Sequence, residues 1–144
     1  MVSKSSHIRA SISAILEPAL LAAGYTLDYP NYRRQNGDTV HLLEIQYWKH
    51  GGGFLIEMAS QTGPFKDWSG AELSHEELTT SHTDPMGRAR LGPEKKVGRM
   101  RGFFRFDTIQ DDPEATDSLM RTVTGMLPQI EAWFASGDFG PNIS

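Results

Sequence analysis

The sequence predicts an α+β protein: an antiparallel sheet of about four strands, with an N-terminal and a C-terminal helix packed on one face. Apolar residues recur at helical spacing near both ends of the chain, whereas segments between them alternate apolar and polar residues, as half-buried strands do. The length of 144 residues fits one domain with one core. We therefore expect residues 1–144 to form a single domain.

The first helix is predicted from apolar side chains spaced three or four residues apart between Ile8 and Ala23, with Gly24 ending it. Pro18 lies inside this pattern. Because proline has no backbone N–H and its ring clashes with the preceding turn, we expect the helix to be kinked there or divided into two short pieces.

A meander of three strands is predicted to follow this helix. The first strand begins at Tyr25 and runs to Asn36-Gly37, the pair most favoured in a two-residue hairpin turn. Pro30 interrupts this segment and cannot donate to a ladder of hydrogen bonds. We therefore expect the first strand to lie at the edge of the sheet or to contain a bulge.

The second strand (39–49) and the third, which begins at Phe54, are joined by residues 50–53 in the predicted hairpin. This connection places Tyr47 opposite Ile56. The apolar residues of both strands then lie on one side of the sheet, so the register is self-consistent.

The other side of this predicted hairpin mixes polar groups with a large aromatic. It places Gln46 opposite Glu57 and Trp48 opposite Leu55. Exposed aromatic residues on an otherwise polar surface are typical anchors of protein interfaces. Either this face is an exposed binding patch or the long loop that follows folds over it.

Residues 60–98 are rich in Gly, Pro, Ser, Thr and His and are predicted to form a long, partly irregular loop with a short helix around 71–79. A loop of this length is usually functional or mobile. A further strand is predicted at 102–107, where phenylalanines alternate across the chain.

The closing helix is predicted to begin at Pro113, with Asp112 as its N-terminal cap. Apolar residues at helical spacing continue to Phe134, and Gly125 and Pro128 should bend the helix. Residues 137–144 are expected to form a frayed tail.

Composition limits the function more than it defines it. The chain has no cysteine, which excludes disulfides, thiolate metal sites and thiol nucleophiles and favours a cytoplasmic location. It contains no apolar run of the ~20 residues that a membrane span needs. The net charge is −4, but seven basic residues and one acidic residue lie between Arg88 and Arg105, followed by a mainly acidic segment.

Several landmarks resemble the bacterial proteins grouped as the domain of unknown function 4304 family. The resemblance spans nearly the whole chain and rests on Gly24-Tyr25, Tyr32-Arg33, Gln46, Phe54 to Met58, His82, Arg90-Leu91-Gly92 and Leu127 to Trp133. It implies a shared fold and a bacterial setting. It implies no activity, because none is established for the family, so function must be argued from the residues.

No phosphate-binding loop, dinucleotide fingerprint, metalloprotease helix or nucleophile elbow is present in the sequence. No cofactor is therefore predicted. Histidines and carboxylates are dense between His75 and Asp84, but their spacing favours a solvated polar loop over a metal site. An acid/base group of His82, Asp84 and Arg90 is a further alternative, with Arg90 orienting an anionic substrate.

The leading hypothesis is a protein-binding module without enzymatic activity, such as a small immunity-type or regulatory protein. It would act through the second sheet face and the long loop, with binding residues Gln46, Trp48, Leu55, Glu57, Arg88 and Arg90. The alternative is a small-ligand-binding protein or enzyme in which Gln46 and Glu57 line a pocket beside the cluster at 82–90.

The basic segment suggests two further alternatives, nucleic-acid binding and dimer formation. Phosphate neutralisation by the basic residues, with stacking on the neighbouring phenylalanines, could bind nucleic acid, but the overall acidity argues against it. A homodimer could form if the basic segment of each chain met the acidic helix of the other. Such a dimer should weaken steeply as the ionic strength rises.

Overall fold

The computed structural model describes residues 4–144 and confirms the predicted α+β class. Its sheet is antiparallel, with strand order β1-β2-β3-β4-β5, and β6 pairs with the same strand, β4, as β5 does. The strands are β1 (Thr26–Asp28), β2 (Asn31–Asn36), β3 (Thr39–Tyr47), β4 (Gly53–Thr62), β5 (Ala89–Leu91) and β6 (Phe104–Arg105).

The sheet has six strands rather than about four, for two reasons. The predicted first strand is divided at Pro30, which has no N–H, so β1 folds back on β2 instead of continuing into it. In addition, the last part of the predicted loop, Ala89–Leu91, pairs with β4. Three residues are too few to show the alternation by which strands are recognised in a sequence.

The helices are α1 (Lys4–Ser11), α2 (Glu17–Ala22), α3 (Pro113–Thr124) and α4 (Leu127–Ser136). A π-helical turn, Ile12–Leu16, joins α1 to α2, and the Glu17 N–H bonds to the Ile12 carbonyl. The sequence predicted a kink or a division at Pro18; the structure instead keeps the chain helical and places this wider turn just before Glu17-Pro18, in the first turn of α2. None of the helices in residues 4–144 combines the length and the apolar character that a membrane span requires.

The bend predicted at Gly125 separates the closing segment into α3 and α4. Asp112 caps α3 as predicted, because its side chain accepts hydrogen bonds from the Glu114 and Ala115 N–H groups. Gly137 ends α4 with a positive φ of 75°, a conformation that glycine adopts without strain.

The register of the β3–β4 hairpin differs from the prediction by two residues. Tyr47 lies opposite Phe54 rather than Ile56, because β3 already ends at Tyr47 and Trp48 belongs to the connection. The Trp48 N–H bonds to the Gly53 carbonyl and closes this connection. A shift of two residues leaves every side chain on its predicted face.

The helices cover one face of the sheet, which we call the helix-covered face. Its side chains pack against both the N-terminal and the C-terminal helices and form the main core, as predicted. The strand residues of this face include Leu43, Ile45, Phe54, Ile56 and Met58.

The opposite, loop-covered face carries Val40, Leu42, Glu44, Gln46, Leu55, Glu57 and Ala59. The long loop folds over one end of this face, where Leu78 buries Val40 and Leu42 in a second small apolar cluster. Of the short helix predicted around 71–79, the structure has only the 3-10 turn His75–Glu77, and the residues before this turn belong to a small hairpin. The hairpin pairs Lys66 with Glu72, and the hydrogen bond from the Leu73 N–H to the Phe65 carbonyl closes it.

The frayed tail predicted at 137–144 is also wrong. The Ser144 and Arg90 backbones exchange two hydrogen bonds of 2.9 Å, so the tail lies along the outer side of β5. Ile143 is buried beside Leu91. A single apolar residue in a polar segment gives no periodicity, so the sequence did not reveal this contact.

Candidate functional site

The candidate site lies at the end of the loop-covered face that Leu78 does not reach. Its centre is Glu57 on β4, whose side chain is 2 % exposed. Register places Arg90 of β5 directly beside it in the sheet. A cavity of about 280 Å³ opens here, lined by Glu57, Pro85, Arg88, Arg90 and Ser144.

Two arginines contact the buried carboxylate without fully satisfying it. Arg90 Nε lies 3.4 Å from Glu57 Oε2, and Arg88 Nη1 lies 3.8 Å from Glu57 Oε1. The second contact is too long to be a hydrogen bond, so Oε1 is buried without a hydrogen-bond partner among the described residues. A buried acceptor without a hydrogen bond destabilises the folded protein, and a donor supplied by a ligand would recover this free energy.

Arg88 is held away from Glu57 by the loop. Its Nε donates to Thr83 Oγ1 at 3.0 Å and its Nη2 donates to the Thr83 carbonyl at 2.7 Å. Thr83 is itself buried and bonds to the Thr80 carbonyl. Arg88 therefore anchors the loop on the sheet, and only one of its nitrogens approaches the carboxylate.

A second cavity of about 260 Å³ adjoins the first, and Arg90 and Ser144 line both. Its other lining side chains include Gln46, Leu55, Lys96, Arg101 and Phe103. The segment 92–103, which leaves the sheet after β5 and returns at β6, supplies the two additional cations. Gln46 donates to Glu44 Oε1 at 2.7 Å, which fixes its amide on the floor of the site.

Two glycines close the base of this segment. A Cβ atom added to Gly92 would lie 2.4 Å from the Gly102 carbonyl oxygen, well inside van der Waals contact. The close approach of the two backbones therefore requires glycine at position 92. This packing accounts for the glycine of Arg-Leu-Gly, so the glycine needs no role in binding.

Of the predicted binding residues, the structure brings together Gln46, Leu55, Glu57, Arg88 and Arg90 around the two cavities. Leu55 is only 3 % exposed, so of the two predicted alternatives for this face, an exposed patch or a covered one, the exposed patch does not hold at this residue. Its neighbours are the polar groups of the site.

Trp48 lies elsewhere, beyond the end of β3. Its ring is edge-on to His50 at 4.8 Å, and the Arg99 guanidinium lies 5.8 Å from its centre. These residues line a separate cavity of about 380 Å³ together with Arg105 and Asp107. The predicted pair of Trp48 and Leu55 is therefore wrong, because Trp48 no longer belongs to the strand.

The proposed acid/base group of His82, Asp84 and Arg90 is not assembled. His82 Nδ1 accepts a hydrogen bond of 3.0 Å from the Thr79 N–H, and Asp84 accepts one of 3.0 Å from the Met86 N–H. Both side chains thus stabilise tight turns of the loop. Among residues 4–144, no hydrogen bond or ion pair joins either of them to Arg90.

Sequence reasoning missed Trp68, whose side chain is 98 % exposed at the tip of the small loop hairpin. The turn that presents it is well fixed: Asp67 accepts hydrogen bonds from Ser69 N–H, Ser69 Oγ and Ala71 N–H. The Ser69 hydroxyl, with these backbone donors, lowers the pKa of the Asp67 carboxyl. A tryptophan between Asp and Ser-Gly in a polar turn was the signal in the sequence.

Within the described residues, no group of three or more His, Asp or Glu side chains is arranged to hold a metal ion. No protein-family model, curated protein or solved structure matches this chain. The resemblance to the domain of unknown function 4304 family stays a prediction from the sequence. The functional argument therefore rests on the geometry of this molecule.

Proposed function

We propose that this protein is a binding module, of a regulatory or immunity type, that recognises another protein through its long loop. The observation that carries the proposal is Trp68, a fully exposed aromatic on a turn fixed by three side-chain hydrogen bonds. Tryptophan is the residue most enriched among binding hot spots. A fixed turn lowers the entropy lost when the side chain enters a pocket.

A second exposed apolar side chain belongs to the same loop. Met86 is 91 % exposed and lies in the turn Pro85–Gly87, whose N-terminal cap is Asp84. The loop therefore presents one flexible and one rigid apolar side chain, each on a hydrogen-bonded turn. This supports a contact surface formed by the loop alone, whereas the sequence predicted the second sheet face together with the loop.

The charge of the loop defines the chemistry of its partner. The loop between β4 and β5, residues 63–88, has two basic residues, Lys66 and Arg88, and five carboxylates, namely Asp67, Glu72, Glu76, Glu77 and Asp84. An apolar pocket rimmed by basic side chains would complement this surface. The partner we propose is a protein that offers such a pocket, and its association rate should fall as salt is added.

The test compares variants of the tagged full-length chain against proteins of its own cell at low and moderate salt. A stoichiometric partner should be retained by the unchanged chain and lose at least about tenfold in affinity with Trp68→Ala. Phe139→Ala is the matched control, since Phe139 is also an exposed aromatic, at 64 %, but lies outside the loop. A partner that binds both variants equally, or no partner at all, would overturn the proposal.

A further inference from the structure

The two adjoining cavities of the loop-covered face differ in the chemistry they offer. One contains the buried Glu57 carboxylate with its unpaired oxygen, and the other contains the cations Lys96 and Arg101. Arg90 lies between them and lines both. A ligand that satisfies both parts must therefore carry a hydrogen-bond donor at one end and an anion at the other.

The cation-lined cavity is suited to an oxyanion. Within residues 4–144, Lys96 and Arg101 have no ion-pair partner, and Arg90 contacts Glu57 through Nε alone. The remaining guanidinium donors match the planar, bidentate geometry of carboxylate and phosphate groups. The Arg90 side chain is 59 % exposed, so a ligand can reach it.

The carboxylate-lined cavity calls for a neutral donor. Glu57 Oε1 is buried and accepts no hydrogen bond, so an N–H group placed against it would gain the full benefit of pairing. A cationic donor is disfavoured because the guanidinium groups of Arg88 and Arg90 already lie within 4 Å of the carboxylate, at 3.8 and 3.4 Å. The amino or imino group of a heterocyclic base meets this requirement.

We propose that this site binds a mononucleotide whose base carries an exocyclic amino group. The phosphate contacts Arg90, Lys96 and Arg101, and a base N–H donates to Glu57 Oε1. Phe103 adds an aromatic wall on which a planar base can stack. The adjoining volumes of about 280 and 260 Å³ together fall in the range of small-ligand sites.

The site is distinct from the tip of the loop that carries Trp68, so the two proposals can fail separately. Isothermal titration of the full chain with guanosine, adenosine and cytidine 5′-monophosphate tests this one, with ribose 5-phosphate as the probe that lacks a base. At least one nucleotide should bind about tenfold more tightly than ribose 5-phosphate. Binding of none of the three at millimolar concentration would overturn the proposal.

Variants separate the two halves of the site. Arg101→Ala should weaken the nucleotide and ribose 5-phosphate alike by about tenfold, whereas Glu57→Gln should weaken only the nucleotide. Arg99→Ala is the control, because it removes an equal charge from the same segment but lines the cavity of Trp48. Equal losses with Arg99→Ala and Arg101→Ala would show unspecific attraction and contradict the assignment. An equal loss of both probes with Glu57→Gln would contradict the contact to the base.

Discussion

One buried glutamate lies at each face of the sheet, and the two differ in the hydrogen-bond partners of their carboxylates. At the helix-covered face, Glu17 of α2 accepts a hydrogen bond of 2.7 Å from the Tyr32 hydroxyl through Oε2, and its Oε1 lies 3.8 Å from Arg9 Nη1. Under the loop, Glu57 has only the long contacts to two arginines, of 3.4 and 3.8 Å, and a cavity beside it. Regular helices close one face by packing, whereas the loop leaves room at the buried charge of the other. We therefore expect stability to depend more on the first face, and we propose ligand binding at the second.

The largest loss of stability is expected from a substitution on the helix-covered face. Ile56→Ala removes three carbon atoms from a side chain that is 1 % exposed and surrounded by the main core. The helices and strands that form this core keep the space from collapsing, so we expect a loss of about 4 kcal/mol in the free energy of unfolding. Urea unfolding followed by circular dichroism measures it. A loss below about 2 kcal/mol would show that the helices collapse easily onto the sheet.

Leu55→Ala is the matched change on the other face, one residue away along β4. Leu55 is 3 % exposed but lines the cavity next to Phe103, so the space left by the substitution joins an existing opening. We expect a smaller loss of about 2 kcal/mol in the same urea experiment. Equal costs for the two variants would mean that both faces are packed alike, and the comparison would fail.

The third prediction concerns how stability depends on pH, and it involves His41 at the edge of the helix-covered face. His41 is buried, stacks on Phe134 with ring centres 4.0 Å apart, and accepts a hydrogen bond from Arg34 at Nδ1. Burial, and then the charge of Arg34, lower the pKa of His41, while the charge of Glu131 opposes this. The unfolded chain therefore binds a proton here at a higher pH than the folded chain does.

Stability contributed by neutral His41 should be complete above a pH of about 6.5 and should decrease as the pH falls below that value. The slope cannot exceed about 1.4 kcal/mol per pH unit for one proton. Unfolding free energies of the unchanged chain and His41→Gln between pH 7.5 and 5 measure it, since glutamine keeps an acceptor for Arg34 but does not titrate. Parallel pH curves for the two proteins would contradict the prediction.

The smallest expected effect on stability is at Trp68. Because this side chain is 98 % exposed, Trp68→Ala should change the free energy of unfolding by less than about 0.5 kcal/mol. The same substitution should weaken binding of the partner protein by at least about tenfold, as proposed above. A clear loss of stability would instead show that Trp68 packs in the folded molecule and serves the fold, which would remove the difference between the two regions.

Much of the fold could be predicted because it follows local rules. The hairpin at Asn36-Gly37, the cap at Asp112 and the irregular turn before Pro18 in the first helix each depend on the backbone chemistry of one or two residues. The buried faces of β3 and β4 were correct even though the register was not, because alternation survives a shift of two residues.

The candidate site was predicted only in part. Glu57 and Arg90 were placed near one another because Glu57 was expected on a central strand and Arg90 in the loop that could cover this strand. His82 and Asp84 were assigned to the site because they are close to Arg90 in sequence, but their side chains cap turns instead. Proximity along an irregular loop does not fix the direction of a side chain, so sequence distance was a poor guide there.

By itself, the sequence determined the α+β class, the two helical ends and the apolar faces of the central strands, since spacing and backbone chemistry are local properties. Only the tertiary structure decided that Ile143 returns to β5, that Trp68 projects from the loop, and that Glu57 keeps an unpaired oxygen between two cavities. The contacts of Ile143 and of Glu57 depend on residues far apart in the chain. Their energies come from burial and hydrogen bonding, which no local pattern records.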